Sequence, residues 1–144
     1  MKKLLLLCFV INAISLCSPL PIGGSRMELS PSSDVVSSSA QTVKIAVETK
    51  QPLRENTDPW PIFTAYSDGI CYEEYPEESI NDSLVEHYID GQWFKVTIPG
   101  YPLNEITVKI SQNDSDEARS FELREDNSFL CGCTITQEAH PIGK

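Results

Sequence analysis

Cysteine and aromatic residues carry most of the chemical promise of this 144-residue chain. Cys131-Gly132-Cys133 places two thiols two positions apart; on a strand they share one face, which Ile135 continues. With Cys71 they make three mature cysteines. In an oxidising compartment, one bridge from Cys71 to Cys131 or Cys133, with one leftover thiol, fits that number. The other reading is a pair of reduced core cysteines acting as small apolar residues. A Cys131–Cys133 bond is disfavoured, because an extended i,i+2 pair sits near the limit of disulfide Cα separation. Adding His140 gives three thiolates and an imidazole, but the closed spacing of a structural zinc site is missing. No metal and no cofactor is expected.

Trp93 falls out of phase with Phe94, Val96 and Ile98, which predicts an exposed indole on the opposite face. An exposed aromatic plate can stack on the apolar C–H face of a pyranose. Trp93, Tyr66, Tyr72, Tyr75 and Tyr88 are therefore the expected ligand-binding residues, and Tyr101 extends the same set. The blander alternative packs Trp93 beneath the long middle segment. Catalysis finds little support: His87 and His140 are isolated in sequence, and carboxylates abound without forming a matched acid and base. Asn113-Asp114-Ser115-Asp116-Glu117 lacks the glycine and terminal glutamate spacing of a calcium loop, so a polar turn is expected there. Asp82-Ser83-Leu84 resembles the short acceptor site that some bacteria O-glycosylate on exported proteins.

The elements that must position these residues are strands. Phe94-Lys95-Val96-Thr97-Ile98, Ile106-Thr107-Val108-Lys109-Ile110 and Ser120-Phe121-Glu122-Leu123-Arg124 alternate apolar and polar residues, and a fourth run spans residues 130–137. Strict alternation buries one face of each strand and leaves the other wet. Upstream, Val43, Ile45 and Val47 mark the inner face of a further strand, and Met27 and Leu29 begin a short one broken at Pro31-Ser32-Ser33. Asp68-Gly69 between Phe63–Ser67 and Ile70–Glu73 is the strongest hairpin signal. A two-residue loop there pairs Tyr66 with Cys71 and Ala65 with Tyr72. Beyond Tyr75 the pattern dissolves, and residues 76–91 are expected to form an inserted loop or a short helix capped by Ser79 or Asp82.

The N-terminus reads as an export signal: Lys2 and Lys3, then an apolar run over residues 4–16 too short to span a bilayer. Cleavage follows either the small residues of Ala13-Ile14-Ser15 or, because Ile14-Ser15-Leu16-Cys17 resembles a bacterial lipobox, lipidation at Cys17. Residues 1–17 are thus the signal, 18–25 a Pro/Gly/Ser tether, 26–139 the domain and 140–144 a tail. Two of the eleven basic residues fall in the signal, leaving nine against 21 acidic ones and a mature net charge of −12. That repels nucleic acid and anionic lipid, so membrane association is expected only through the N-terminal anchor. Between Arg54 and Lys95 lie ten acidic residues and no Lys or Arg. A functional surface peculiar to this chain is expected in that stretch.

Glu28-Leu29-Ser30-Pro31-Ser32-Ser33, Val36-Ser37-Ser38-Ser39 and the strand over residues 42–47 resemble the opening of a BACON domain. The resemblance resumes at Trp93-Phe94-Lys95-Val96 and Ile106-Thr107-Val108-Lys109-Ile110-Ser111-Gln112-Asn113, then at Arg119-Ser120 and Thr134-Ile135-Thr136-Gln137. Trp60 stands for the family's earlier tryptophan. About 70 residues at the two ends are covered, and the middle carries an insertion. The resemblance implies an exported all-β protein, an immunoglobulin-like β-sandwich of 7–8 antiparallel strands, located in the periplasm, the outer membrane or at the cell surface. It also implies an accessory module without activity of its own, with glycan contact inferred from the family's context. The alternative is a protein-binding envelope module, such as an adhesin-like subunit or a protease inhibitor presenting residues 76–91.

Overall fold

The computed structural model describes residues 27–50, 61–76, 86–126 and 128–141. The signal, Cys17, the tether, Trp60, residues 77–85 with Asp82-Ser83-Leu84, and residues 142–144 lie outside that set. Eleven strands and no helix are found among the described residues: β1 (Met27–Ser30), β2 (Ser33–Val36), β3 (Gln41–Thr49), β4 (Phe63–Ser67), β5 (Ile70–Glu73), β6 (Tyr75–Pro76), β7 (His87–Asp90), β8 (Phe94–Ile98), β9 (Glu105–Ile110), β10 (Arg119–Glu125) and β11 (Ser128–Gln137). They form a six-stranded sheet, β1-β3-β9-β8-β7-β6, and a five-stranded sheet, β2-β11-β10-β4-β5.

Period-two alternation decides which side of each strand faces the partner sheet. Ile45 and Val47 of β3, Val96 and Ile98 of β8, and Ile106, Val108 and Ile110 of β9 are buried, as are Phe121 and Leu123 of β10. Each such side chain removed from water contributes about 1.5–3 kcal/mol, set against the entropy of ordering it. Phe94 and Phe121 stack at the centre, with centroids 4.2 Å apart. The β4–β5 hairpin turns at Asp68 (φ 52°) and Gly69 (φ 76°), the left-handed pair that an Asp-Gly loop supplies. Its register sets Tyr66 against Cys71 and Ala65 against Tyr72, as the two-residue loop requires.

Three expectations need correction. Eleven strands replace the expected seven or eight, because β2, β6 and β7 are two to four residues long and too short to display an alternating pattern. Not all pairs are antiparallel: after the cis Ser30–Pro31 peptide the chain leaves the six-stranded sheet, and β2 runs parallel to the end of β11, Val35 beside Thr136 and Val36 beside Gln137. Within the expected loop or helix over 76–91, Pro76 and residues 87–90 are strand. Tyr75 pairs with Tyr88, and β7 pairs with β8 through Ile89 and Val96. The open edge of β8 gives residues 87–90 hydrogen-bond partners that a short, weakly capped helix would have lacked.

The two sheets are tied at one end by a polar cluster. Gln137 is fully buried; its amide donates to the carbonyls of Ser38 (3.0 Å), Ser39 (3.3 Å) and Ser111 (3.0 Å), and its oxygen accepts from Arg119 Nε (2.9 Å). Arg119 also donates to the carbonyls of Ser111 (2.9 Å) and Gln112 (3.0 Å). Arg119 and Gln137 are cross-strand neighbours on β10 and β11. Nearby, Asn113 is buried, donating to the Glu117 and Glu138 carbonyls at 2.9 Å and accepting from Ser115. Its side chain thus folds the 113–117 turn onto itself.

Candidate functional site

The expected aromatic platform is broken up by the fold. Trp93 is only 7% exposed and is a core residue. It lies in the turn before β8, so the alternation that begins at Phe94 does not govern it. Its indole packs edge-on against Phe94 (5.2 Å) and Phe121 (5.5 Å), and the Arg119 guanidinium lies over it at 4.5 Å. Burial lowers the Arg119 pKa from its ordinary value. Tyr72 points inward, edge-on to Phe94 at 5.5 Å. Tyr66 stands on the outer face of the five-stranded sheet beneath Arg124, 5.1 Å from its ring. Trp93, Tyr72 and Tyr66 are therefore not parts of one surface.

Tyr75 and Tyr88 are. Paired across β6 and β7 on the outer face of the six-stranded sheet, their rings lie 5.9 Å apart at 43°. Ile89 faces the core, so Tyr88 and Asp90 on either side of it face outward. The Tyr75 hydroxyl donates to the Asp90 carboxylate. That hydrogen bond, then desolvation, then the Asp90 charge raise the Tyr75 pKa. Tyr88 donates to Glu86 at 2.6 Å, and Lys95 Nζ sits 4.4 Å over the Tyr88 ring and 3.4 Å from Asp90. The result is two tyrosine rings beside donors and acceptors of both signs.

An open depression of about 390 Å³ adjoins this pair, lined among others by Asp90, Gln92, Lys95, Lys109 and Ser111. Gly91 shapes its rim: a Cβ there would fall 2.4 Å from the Phe94 ring, so only glycine leaves that ring in place. The floor is held by Trp93, whose carbonyl accepts from Ser111 N (2.9 Å) and Ser111 Oγ (3.0 Å).

Glu74 positions the tyrosines from behind. It is the single residue between β5 and β6, where the chain crosses from one sheet to the other. Its side chain is 4% exposed, lies 2.5 Å from His87 Nδ1, and accepts from the Phe63 backbone N–H at 2.7 Å. His87, isolated in sequence, thus has a buried carboxylate partner that locks β6 to β7. Only the crossover brings residues 74 and 87 together.

Of the two cysteine readings, the bridge from Cys71 does not fit: none of Cys71, Cys131 and Cys133 is in a disulfide, Cys71 is exposed on the edge strand β5, and the other two are buried on β11. β10 and β4 stand between those strands, a separation of roughly 14 Å where a disulfide tolerates about 7 Å between Cα atoms. Burial, with the charge of Asp34 adding, pushes the Cys133 thiol up to about 11. No group of three or more His, Cys, Asp or Glu able to hold a metal occurs among the described residues.

No protein-family model and no curated protein matches the chain. A protein from Bacteroides thetaiotaomicron whose structure was determined by NMR is similar in fold, with a TM-score of 0.50 and 20% sequence identity over 85% of this chain and 95% of that one. A likeness at that identity speaks for the fold alone.

Proposed function

We propose that this chain is an exported, non-catalytic binding module that contacts carbohydrate through the outer face of the six-stranded sheet. The carrying observation is the pairing of Tyr75 with Tyr88 on that face, 5.9 Å apart, with Tyr75 42% exposed. Two neighbouring rings offer a sugar an apolar surface, while Asp90, Lys95 and Gln92 offer hydroxyl groups acceptors and donors at its border. The scaffold in this reading is an immunoglobulin-like sandwich of the BACON type, released or lipid-anchored at Cys17. Its place is the periplasm, the outer membrane or the cell surface. A glycan array followed by isothermal titration tests it. Binding is expected to at least one mucin-type or plant polysaccharide and to be lost in Tyr75→Ala and Tyr88→Ala. Absence of binding at about millimolar ligand overturns the proposal.

A second reading, a protein-binding envelope module such as an adhesin-like subunit or a protease inhibitor, is favoured by the edge strand β5. Ile70 and Cys71 are exposed there, and unpaired edge backbone is a template for an added strand. Pull-down from envelope extract distinguishes the two. A defined partner lost in Cys71→Pro, which blocks strand addition at the β5 edge, supports this second role, and equal recovery with the parent and the variant counts against it.

A further inference from the structure

The outer face of the six-stranded sheet carries a charge arrangement that a neutral sugar does not need. Strand register places Thr42, Lys109, Lys95 and Asp90 in one row across β3, β9, β8 and β7. Lys95 and Lys109 are direct cross-strand partners, and like charges directly opposite one another are destabilising. Lys95 shares Asp90 at 3.4 Å, with both side chains about half exposed. Lys109 has no ion-pair partner among the described residues. The next lysine on this face, Lys44, is occupied by Glu105 at 2.8 Å. The row therefore holds two ammonium groups against one carboxylate, in a chain whose overall net charge is −10. Both lysines border the same open depression of about 390 Å³.

We infer that the depression takes an acidic sugar, with a uronic-acid carboxylate held between Lys95 and Lys109 while the ring rests near Tyr88. This inference rests on the glycan reading above and adds the chemical class of the sugar. One anionic group would relieve the repulsion between the two lysines and neutralise the row. A carboxylate is preferred to a sulfate because the lysine ammonium is a compact, strongly hydrated charge, and the compact carboxylate matches it better than the diffuse sulfate. The acidic surface elsewhere repels a polyanion, so the local lysine pair also fixes where along the protein such a chain can lie.

The test titrates the full chain with three polymers at low and high salt: polygalacturonate, its fully methyl-esterified form and dextran sulfate. Polygalacturonate is expected to bind best and to weaken as salt rises. Esterification, and separately Lys109→Met, should each weaken it about three- to tenfold, the size of one solvent-exposed polar contact. Lys109 is exposed, so its substitution leaves the core untouched, and an unchanged circular dichroism spectrum verifies this. Equal affinity for acid and ester together with an unaffected Lys109→Met variant overturns the acidic-sugar inference and leaves the glycan reading standing. Tighter binding of dextran sulfate than of polygalacturonate overturns the choice of carboxylate. Failure of all three polymers, and of neutral glycans, overturns the reading beneath it.

Discussion

Replacing Gln137 by methionine probes the polar cluster that ties the two sheets together. Methionine has nearly the same length and volume, so little cavity is created, and the change isolates the hydrogen bonds. The amide's two hydrogens, shared among the carbonyls of Ser38, Ser39 and Ser111, and the bond accepted from Arg119 are lost, about three bonds in all. Orphaning all the partners would be severe, but each carbonyl keeps another donor. Ser38 O still accepts from Asn113 N (2.7 Å), Ser39 O from Gln41 (3.2 Å) and Ser111 O from Arg119 (2.9 Å). The loss is therefore nearer the net worth of three bonds, about 1–1.5 kcal/mol each, than the desolvation penalty of stranded groups. Burying a thioether instead of an amide returns part of it, leaving about 2–4 kcal/mol. Urea unfolding should show a lower midpoint at unchanged slope, and melting should fall by roughly 8–20 °C for a domain of this size. In a double-mutant cycle with Arg119→Met, the two changes should couple by about 1–2 kcal/mol, because the guanidinium and the amide act on the same Ser111 carbonyl. A cost below about 1 kcal/mol, or strict additivity, would show that the cluster does not hold the sheets together as described.

Gly91→Ala forces a methyl into the Phe94 ring, which cannot yield freely because it is stacked on Phe121; about 1–3 kcal/mol of stability should go, and thermal melting will show it. Glu74→Ala removes the carboxylate that Phe63 N–H and His87 share, so a loss of about 2–3 kcal/mol is expected, together with weaker glycan binding because Tyr75 is the next residue. Retained glycan affinity in that variant would show that the clamp does not position the tyrosines. Cys133, held up to about 11 by burial, stays a neutral thiol while the unfolded chain ionises. Stability from this group is full below the unfolded thiol pKa and is lost as pH climbs from about 9 to 11, by about 2–3 kcal/mol. Urea midpoints across that window should fall more for the parent than for Cys133→Ala, and parallel curves would refute the assignment. In the native state, thiol reagents should label Cys71 quickly and Cys131 and Cys133 only after denaturation.

What could be read from residues alone was whatever depends on near neighbours. Alternation along Phe94–Ile98 and Glu105–Ile110 states which side chains are buried, since successive side chains on a strand point to opposite faces. Asp68-Gly69 sets a hairpin and its register because few residues adopt its backbone angles. Other features depend on pairings between distant segments. The direction of Trp93 is set by Phe121, Arg119 and Ser111, not by its phase with Phe94. That Cys71 makes no disulfide with the β11 pair follows from the order of strands, which puts β10 and β4 between them. Two of five aromatic candidates share a surface only because the crossover at Glu74 carries Tyr75 beside Tyr88. The opposition of Lys95 to Lys109 gave no signal in a chain so acidic. A charge excess is a sum over residues, whereas a binding surface depends on which of them the register makes neighbours.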